Sequence, residues 1–178
     1  MPLPRVKPPA ITPKPRVTAV GDDQAIALIG PVAVIVARDE PGPNLGLHTA
    51  KLITEIKEKY QGRGAILVIV KADVRPPSDQ ARQRIMESMR DCARGAICGS
   101  IVFEGTGFVA AAQRGALTMM LTMARLNYPL KVFGTLREAT LFICSTLGPT
   151  AELSSPGLAR AIEELRDAYA KGQLELDV

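Results

Sequence analysis

Gly105-Thr106-Gly107-Phe108-Val109-Ala110 has the GxGxxA spacing in which backbone amides at a helix start can hold a phosphate-bearing ligand. Its surroundings argue for a turn. The motif follows the fourth strand expected along the chain instead of opening the first strand-helix-strand unit. The next strand, Leu130–Phe133, runs into Gly134-Thr135 where a dinucleotide site needs an Asp or Glu for the ribose. Gly105, Thr106, Gly107 and Phe108 are therefore a ligand-binding candidate whose simpler reading is a tight turn with a closely packed helix. Ser78 is the second position of interest. It ends the run Lys71-Ala72-Asp73-Val74-Arg75-Pro76-Pro77 at the start of a helical period, where free N–H groups and the helix dipole would tolerate a phosphoryl group. Serine is also a favoured helix N-cap on energetic grounds alone.

The other reactive side chains lack partners. His48 is the single histidine, so any Ser-His-acid arrangement must use it, and Ser100, Ser145, Ser154 and Ser155 lie outside a GxSxG elbow. Cys92, Cys98 and Cys144 fall in separate elements; with one histidine they make neither a zinc site nor a disulfide framework, and buried thiols in a reducing compartment are expected. Asp22-Asp23 and Asp39-Glu40 flank turns without a loop that supplies further oxygen ligands. The reading is of a non-enzyme with no catalytic residue, no metal and no cofactor.

The elements that must position these residues follow from periodicity. Gln24–Ile29 and Val32–Ala37 are apolar runs joined by Gly30-Pro31, an antiparallel hairpin. Asn44 caps a first helix with Leu45, Leu52, Ile53, Ile56 and Tyr60 on one face, ending at Gly62. Residues 65–70 (AILVIV) are continuously apolar, as a strand buried on both faces must be. Ser78 opens a second helix carrying Ala81, Ile85, Met89 and Cys92, stopped by Gly95, and Ala96–Phe103 is the next strand. In residues 108–126, Phe, Ala, Leu and Met run almost all the way round a long helix, which predicts that it is largely buried. After Leu130–Phe133, Thr135 and Glu138 have the spacing of a capping box. Ser155-Pro156 opens a last helix with Leu158, Ile162, Leu165 and Tyr169 in a narrow stripe that would pack on the domain or on a second copy. The fold class expected is α/β: a mostly parallel five-stranded sheet with an N-terminal antiparallel hairpin strand, covered by four helices, plus a C-terminal amphipathic helix.

The formal net charge of +4 has an address. Arg5, Lys7, Lys14 and Arg16 stand among six prolines in the first 16 residues with no acid, and the remainder is electroneutral. Residues 1–20 are expected as a disordered, Pro-rich basic tail, residues 21–150 as the domain, and residues 151–178 as the C-terminal helix and tail. A neutral body makes nucleic acid an unlikely partner class. The N-terminus has no apolar signal region, and the most apolar helical stretch, residues 115–124, is about half the roughly 20 residues a membrane span needs. A cytoplasmic protein is expected.

The element order from Gln24 through Leu147 resembles the STAS fold, in particular its SpoIIAA-like branch. The features that carry the likeness are the strand hairpin, the helix ending in Gly62, AILVIV, the helix opened by Ser78, the strand Ser100-Ile101-Val102-Phe103 with its glycine turn, and Lys131-Val132-Phe133-Gly134-Thr135-Leu136-Arg137-Glu138-Ala139. The resemblance implies a bacterial signalling module that works by protein-protein interaction, with a serine at the start of the second helix phosphorylated to control partner exchange. Ser78 falls at that position, preceded by Arg75-Pro76-Pro77 where the family has an Asp- and Ser-rich turn with glycine. It also implies similarity in fold to lipid-binding domains.

Two functional expectations result. In the first, Asp73, Arg75, Ser78, Asp79 and Arg82 form a regulatory, partner-binding surface for another protein. In the second, the chain binds a lipid or other apolar ligand, for which Phe108, Met119, Met120 and Met123 in one helix are the motivation. A nucleotide-binding enzyme using Gly105 to Gly107 is a weaker alternative, and a homodimer stays open.

Overall fold

The computed structural model describes residues 13–71, 74 and 77–176. Val17, Thr18 and Val20, three β-branched residues in five, follow the last proline of the leader, and Arg16–Val20 forms strand β1. It pairs antiparallel with β2 (Gln24–Ile29). A register shift between Val17 and Ala19 turns these two residues to opposite faces of the sheet, and both are buried. The expected tail boundary at residue 20 is thereby corrected. The sheet begins at Arg16, and among the described residues it has six strands and not five.

β2 turns at Gly30, whose φ of +55° suits glycine, into β3 (Val32–Ala37), with Ile29 opposite Val32. There follow α1 (Leu45–Lys59), β4 (Gly64–Val70), α2 (Asp79–Cys92), β5 (Ala96–Phe103), α3 (Gly107–Met123), β6 (Leu130–Phe133), α4 (Leu136–Leu147), a single 3-10 turn at Pro149–Ala151, and α5 (Ser155–Ala170). The sheet order is sequential, β1-β2-β3-β4-β5-β6, antiparallel as far as β3 and parallel from β3 to β6. Each parallel strand is laid beside its predecessor through a helix. Crossovers of one hand therefore put α1, α2 and α3 on one face. The last two helices cover the other.

Alternation along β4 shows the two faces at once. Ala65, Leu67 and Ile69 pack with Ile143 and Leu147 of α4 and with Leu158, Ile162 and Leu165 of α5. Ile66 packs on the opposite side with Leu52, Ile53 and Ile56 of α1 and Cys92 of α2. The α1 side is tight: a Cβ on Gly95 would lie 2.8 Å from the Ile53 carbonyl oxygen. On the far side, the Tyr169 hydroxyl donates to the Gly21 carbonyl at 2.6 Å and the Arg38 guanidinium lies 3.5 Å over the Tyr169 ring. α5 is thus a component of this domain, its stripe closed against the sheet. At the other end, Arg16 ion-pairs with Glu55 of α1, tying β1 to a helix.

α3 departs from expectation. Only Ala110 and Leu121 of its 17 residues are buried, and Phe108 is 88% exposed. The reason lies in its position. It crosses from β5 to β6, a four-residue edge strand, so little sheet lies beneath it. Arg114 holds it to the end of β5 by donating to the Phe103 and Gly105 carbonyls at 3.3 and 3.1 Å. Just after the helix, the buried Tyr128 donates to the Met89 carbonyl at 3.0 Å. Among the described residues no helix is long and apolar enough to cross a membrane.

Candidate ligand cavity

Between these two attachments α3 stands off the sheet, and a cavity of about 490 Å³ opens beneath it. Its floor is fixed by strand register. Gln24, Ala37, Val70 and Phe103 are successive cross-strand partners over β2 to β5, and Ile35, Val68 and Ile101 form the next row. All seven line the space. Val68 and Val70 consequently stay half-buried although β4 lies in the middle of the sheet. One wall is the α2 stripe Arg82, Ile85, Met89 and Cys92, and the roof is the α3 stripe Gln113, Ala116, Leu117 and Met120. Both stripes have helical spacing, so each helix turns one face to the same volume. The mouth lies at the carboxyl ends of the parallel strands, bordered by Asp39, Glu40 and Pro41, by Val74 and Pro77, and by Arg82. A volume of this size falls within the roughly 300–1,000 Å³ of small-molecule sites.

The walls are apolar with few polar groups. Ser88 is satisfied by Thr49 at 2.8 Å. Gln24 differs: it is 6% exposed, lines the cavity, and its carboxamide has no hydrogen-bond partner among the described residues. Among the described residues, charges at the rim are already engaged or solvated. Ser78 donates to Glu40 twice, from its hydroxyl at 2.6 Å and its backbone N–H at 3.1 Å, with Arg84 3.6 Å away. These hydrogen bonds, and then the nearby guanidinium, hold the Glu40 carboxyl below its usual range.

The residues singled out in the sequence separate into groups. Ser78 caps α2, its Oγ accepting from the Ala81 N–H at 3.2 Å, as its residue type predicts. Asp79 and Arg82 stand beside it, 3.5 Å apart, and Arg82 donates to the Pro77 carbonyl at 3.0 Å. Ser78, Asp79 and Arg82 thus form one exposed patch at the cavity mouth. Asp73 and Arg75 lie outside the described residues. Gly105 and Gly107 take φ of +127° and +84°, so the motif is a glycine turn. The close packing expected there is absent, since a Cβ on Gly107 would meet nothing within 4 Å. Thr106, the N-cap of α3, makes no side-chain cap bond. Phe108, Met119 and Met123 face outward, and Met120 alone of the four turns to the cavity. His48 begins α1 away from the cavity lining.

The cysteines are free. Burial pushes the Cys92 thiol up to about 12 and that of Cys98 up to about 11, and it raises Cys144 and the Tyr128 hydroxyl as well. Thiols so perturbed are poor nucleophiles at neutral pH, so Cys92 serves the cavity as apolar lining. Gln24 was not singled out from the sequence. The available signal was a lone amide heading the run Ala25-Ile26-Ala27-Leu28-Ile29, at the end of a strand that is otherwise apolar. Comparison with protein-family models, curated proteins and solved structures finds no match to this chain.

Proposed function

We propose that this protein binds an apolar small molecule or a lipid chain in the cavity under α3. The observation that carries the reading is the incomplete burial of Val68 and Val70 in the middle of a six-stranded sheet, beneath a helix that could have covered them. Leaving apolar surface uncovered forfeits about 25 cal/mol per Å², and a ligand that fills the space recovers it. Lining by Ile, Val, Leu, Met and Phe side chains, without an activated nucleophile among the described residues, supports binding without turnover. Three free cysteines support a reducing compartment, and the cytoplasm is the location we propose.

The test is to fill the space from within. Leu117→Trp puts an indole into the cavity from the roof, where the half-buried leucine has room. The wild-type protein is expected to take up linear alkyl compounds, with thermal stabilisation of about 2.7 kcal/mol at a ligand concentration 100 times Kd. Leu117→Trp is expected to fold and to lose that stabilisation. Equal uptake by both proteins, or none by either, would defeat the proposal.

The second reading follows the STAS resemblance: a protein partner docks on the exposed first turn of α2. The grouping of Ser78, Asp79 and Arg82 in one patch favours it, with Glu40 tied to the same serine. The two readings share the cavity mouth, so a bound ligand could alter the patch a partner meets. Charge reversal by Asp79→Arg with Arg82→Glu, followed by cross-linking mass spectrometry in cells, decides between them. Cross-links confined to this turn in wild type and lost in the variant are expected. Contacts elsewhere that survive the reversal would remove the reading.

A further inference from the structure

Resting on the cavity reading above, we infer that Gln24 is the polar anchor of the site and that its ligand carries one uncharged hydrogen-bonding group on an apolar body. Gln24 shares its cross-strand row with Ala37, Val70 and Phe103, so its side chain leaves the sheet on the cavity side. It is 6% exposed and without a hydrogen-bond partner among the described residues. Its amide atoms are not among the fully buried polar atoms without a partner, so they stay open to the cavity; a ligand that fills the cavity strips water from them and must supply hydrogen bonds in its place. An apolar residue would serve the sheet better if packing were its only task.

The chemistry of the head group follows from what else stands at that end. A carboxamide presents both a donor and an acceptor, which a hydroxyl matches fully and a carbonyl or amide matches in part. It brings no charge. A buried carboxylate or ammonium would need a counter-ion, and among the described residues the ionic groups of the rim are occupied: Glu40 by Ser78 and Arg84, and Arg82 by Asp79 and the Pro77 carbonyl. Asp39 is exposed, its Oδ1 accepting from the Glu40 N–H at 2.8 Å. An ionised carboxylate head would also approach the Asp39 and Glu40 carboxylates. The opposite end of the cavity, at Met89, Cys92 and Ile66, offers only apolar contact and suits a hydrocarbon tail.

Octanol, octane, octanoate and octylamine, which share a chain and differ in head group, test the inference on the full chain by calorimetry. Octanol is expected to bind wild type about 3- to 10-fold more tightly than octane, as one net hydrogen bond allows, and the two ions more weakly than octanol. In Gln24→Met, of similar length, octanol should fall to the affinity of octane while octane is unchanged or improved. A second readout does not depend on that variant's stability: the Gln24 side-chain amide resonances in wild type should shift on addition of octanol and not of octane. If octane and octanol bind equally to wild type, or the amide shifts alike with both, Gln24 is not the anchor although the cavity binds. Tighter binding of octanoate or octylamine than octanol would overturn the uncharged head. If no probe binds wild type and Leu117→Trp changes nothing, the cavity reading itself fails, and the anchor with it.

Discussion

The two faces of the sheet receive the same strand and treat it differently. Toward α4 and α5, β4 presents Ala65, Leu67 and Ile69, which are closed off completely by Ile143, Leu158, Ile162 and Leu165, themselves at most 2% exposed. Toward α1, α2 and α3 it presents Ile66, Val68 and Val70, of which the first is buried and the others remain half-open. The difference arises in the helices. α5 has one apolar stripe and a charged remainder, so only one orientation buries its hydrophobic residues. α3 has Arg114 as its sole charge in 17 residues and apolar side chains on both sides, so its orientation is set by the attachment of Arg114 midway along it and of Tyr128 just beyond its end. One face is built for stability, the other leaves room.

The largest effect expected from this contrast concerns truncation. Leu158→Ala or Ile143→Ala removes side chains with no exposure from a filled core and should cost about 2–5 kcal/mol in urea unfolding. Leu117→Ala, on the roof of the cavity, should cost about 1 kcal/mol or less, because the leucine already borders empty space on one side. Comparable losses at all three positions would mean that the faces are packed alike.

What the sequence revealed follows the same line. Where a pattern has one physical solution, it could be read: AILVIV as a strand covered on both sides, the α5 stripe, and Ser78 as a cap all stand where expected. β1 was hidden by its neighbours, since six prolines in the first 15 residues dominate a reading of the leader while Val17, Thr18 and Val20 already have strand character. The exposure of α3 could not be read from composition, because an apolar helix looks buried until the length of the strand beside it is known. Gln24 was hidden for a third reason. Its meaning depends on which residues lie across from it, and strand register is settled by pairing, which a single run of residues does not display.

The helix starts sharpen the contrast at smaller scale. α2 opens with a formed cap, and Ser78→Ala should cost about 1 kcal/mol. Thr106→Ala, at the start of α3, should be near neutral because its hydroxyl makes no cap bond. The serine also holds Glu40, which gives the pair a pH signature. The Glu40 carboxyl titrates below its ordinary value of 4.5 when folded, so the folded protein releases that proton more readily than the unfolded chain. Its contribution is therefore present above about pH 4.5 and fades as pH falls through the lowered folded value. Ser78→Ala should lose this part of the acid dependence, so the stability difference between wild type and variant should narrow below pH 4.5. A difference constant from pH 7 to pH 3 would separate the cap from the carboxylate.

The smallest effect belongs to a pair of adjacent methionines. Met119 is 68% exposed on the outer face of α3, whereas Met120 lines the cavity. Met119→Lys should change stability by no more than about 0.5 kcal/mol, as surface substitutions do, and leave alkyl-chain uptake intact. Met120→Lys places an ammonium among Leu117, Ile85 and Phe103, and the side chain must either stay desolvated or reach out through the mouth. In either case it occupies the ligand's space, so uptake should be lost even where the protein still folds. Because the two positions differ by a single 100° step around one helix, reversal of this order would mean that α3 presents its other face to the sheet. The cavity would then be lined by Met119 and Met123, and the roof stripe of Gln113, Leu117 and Met120 would face solvent.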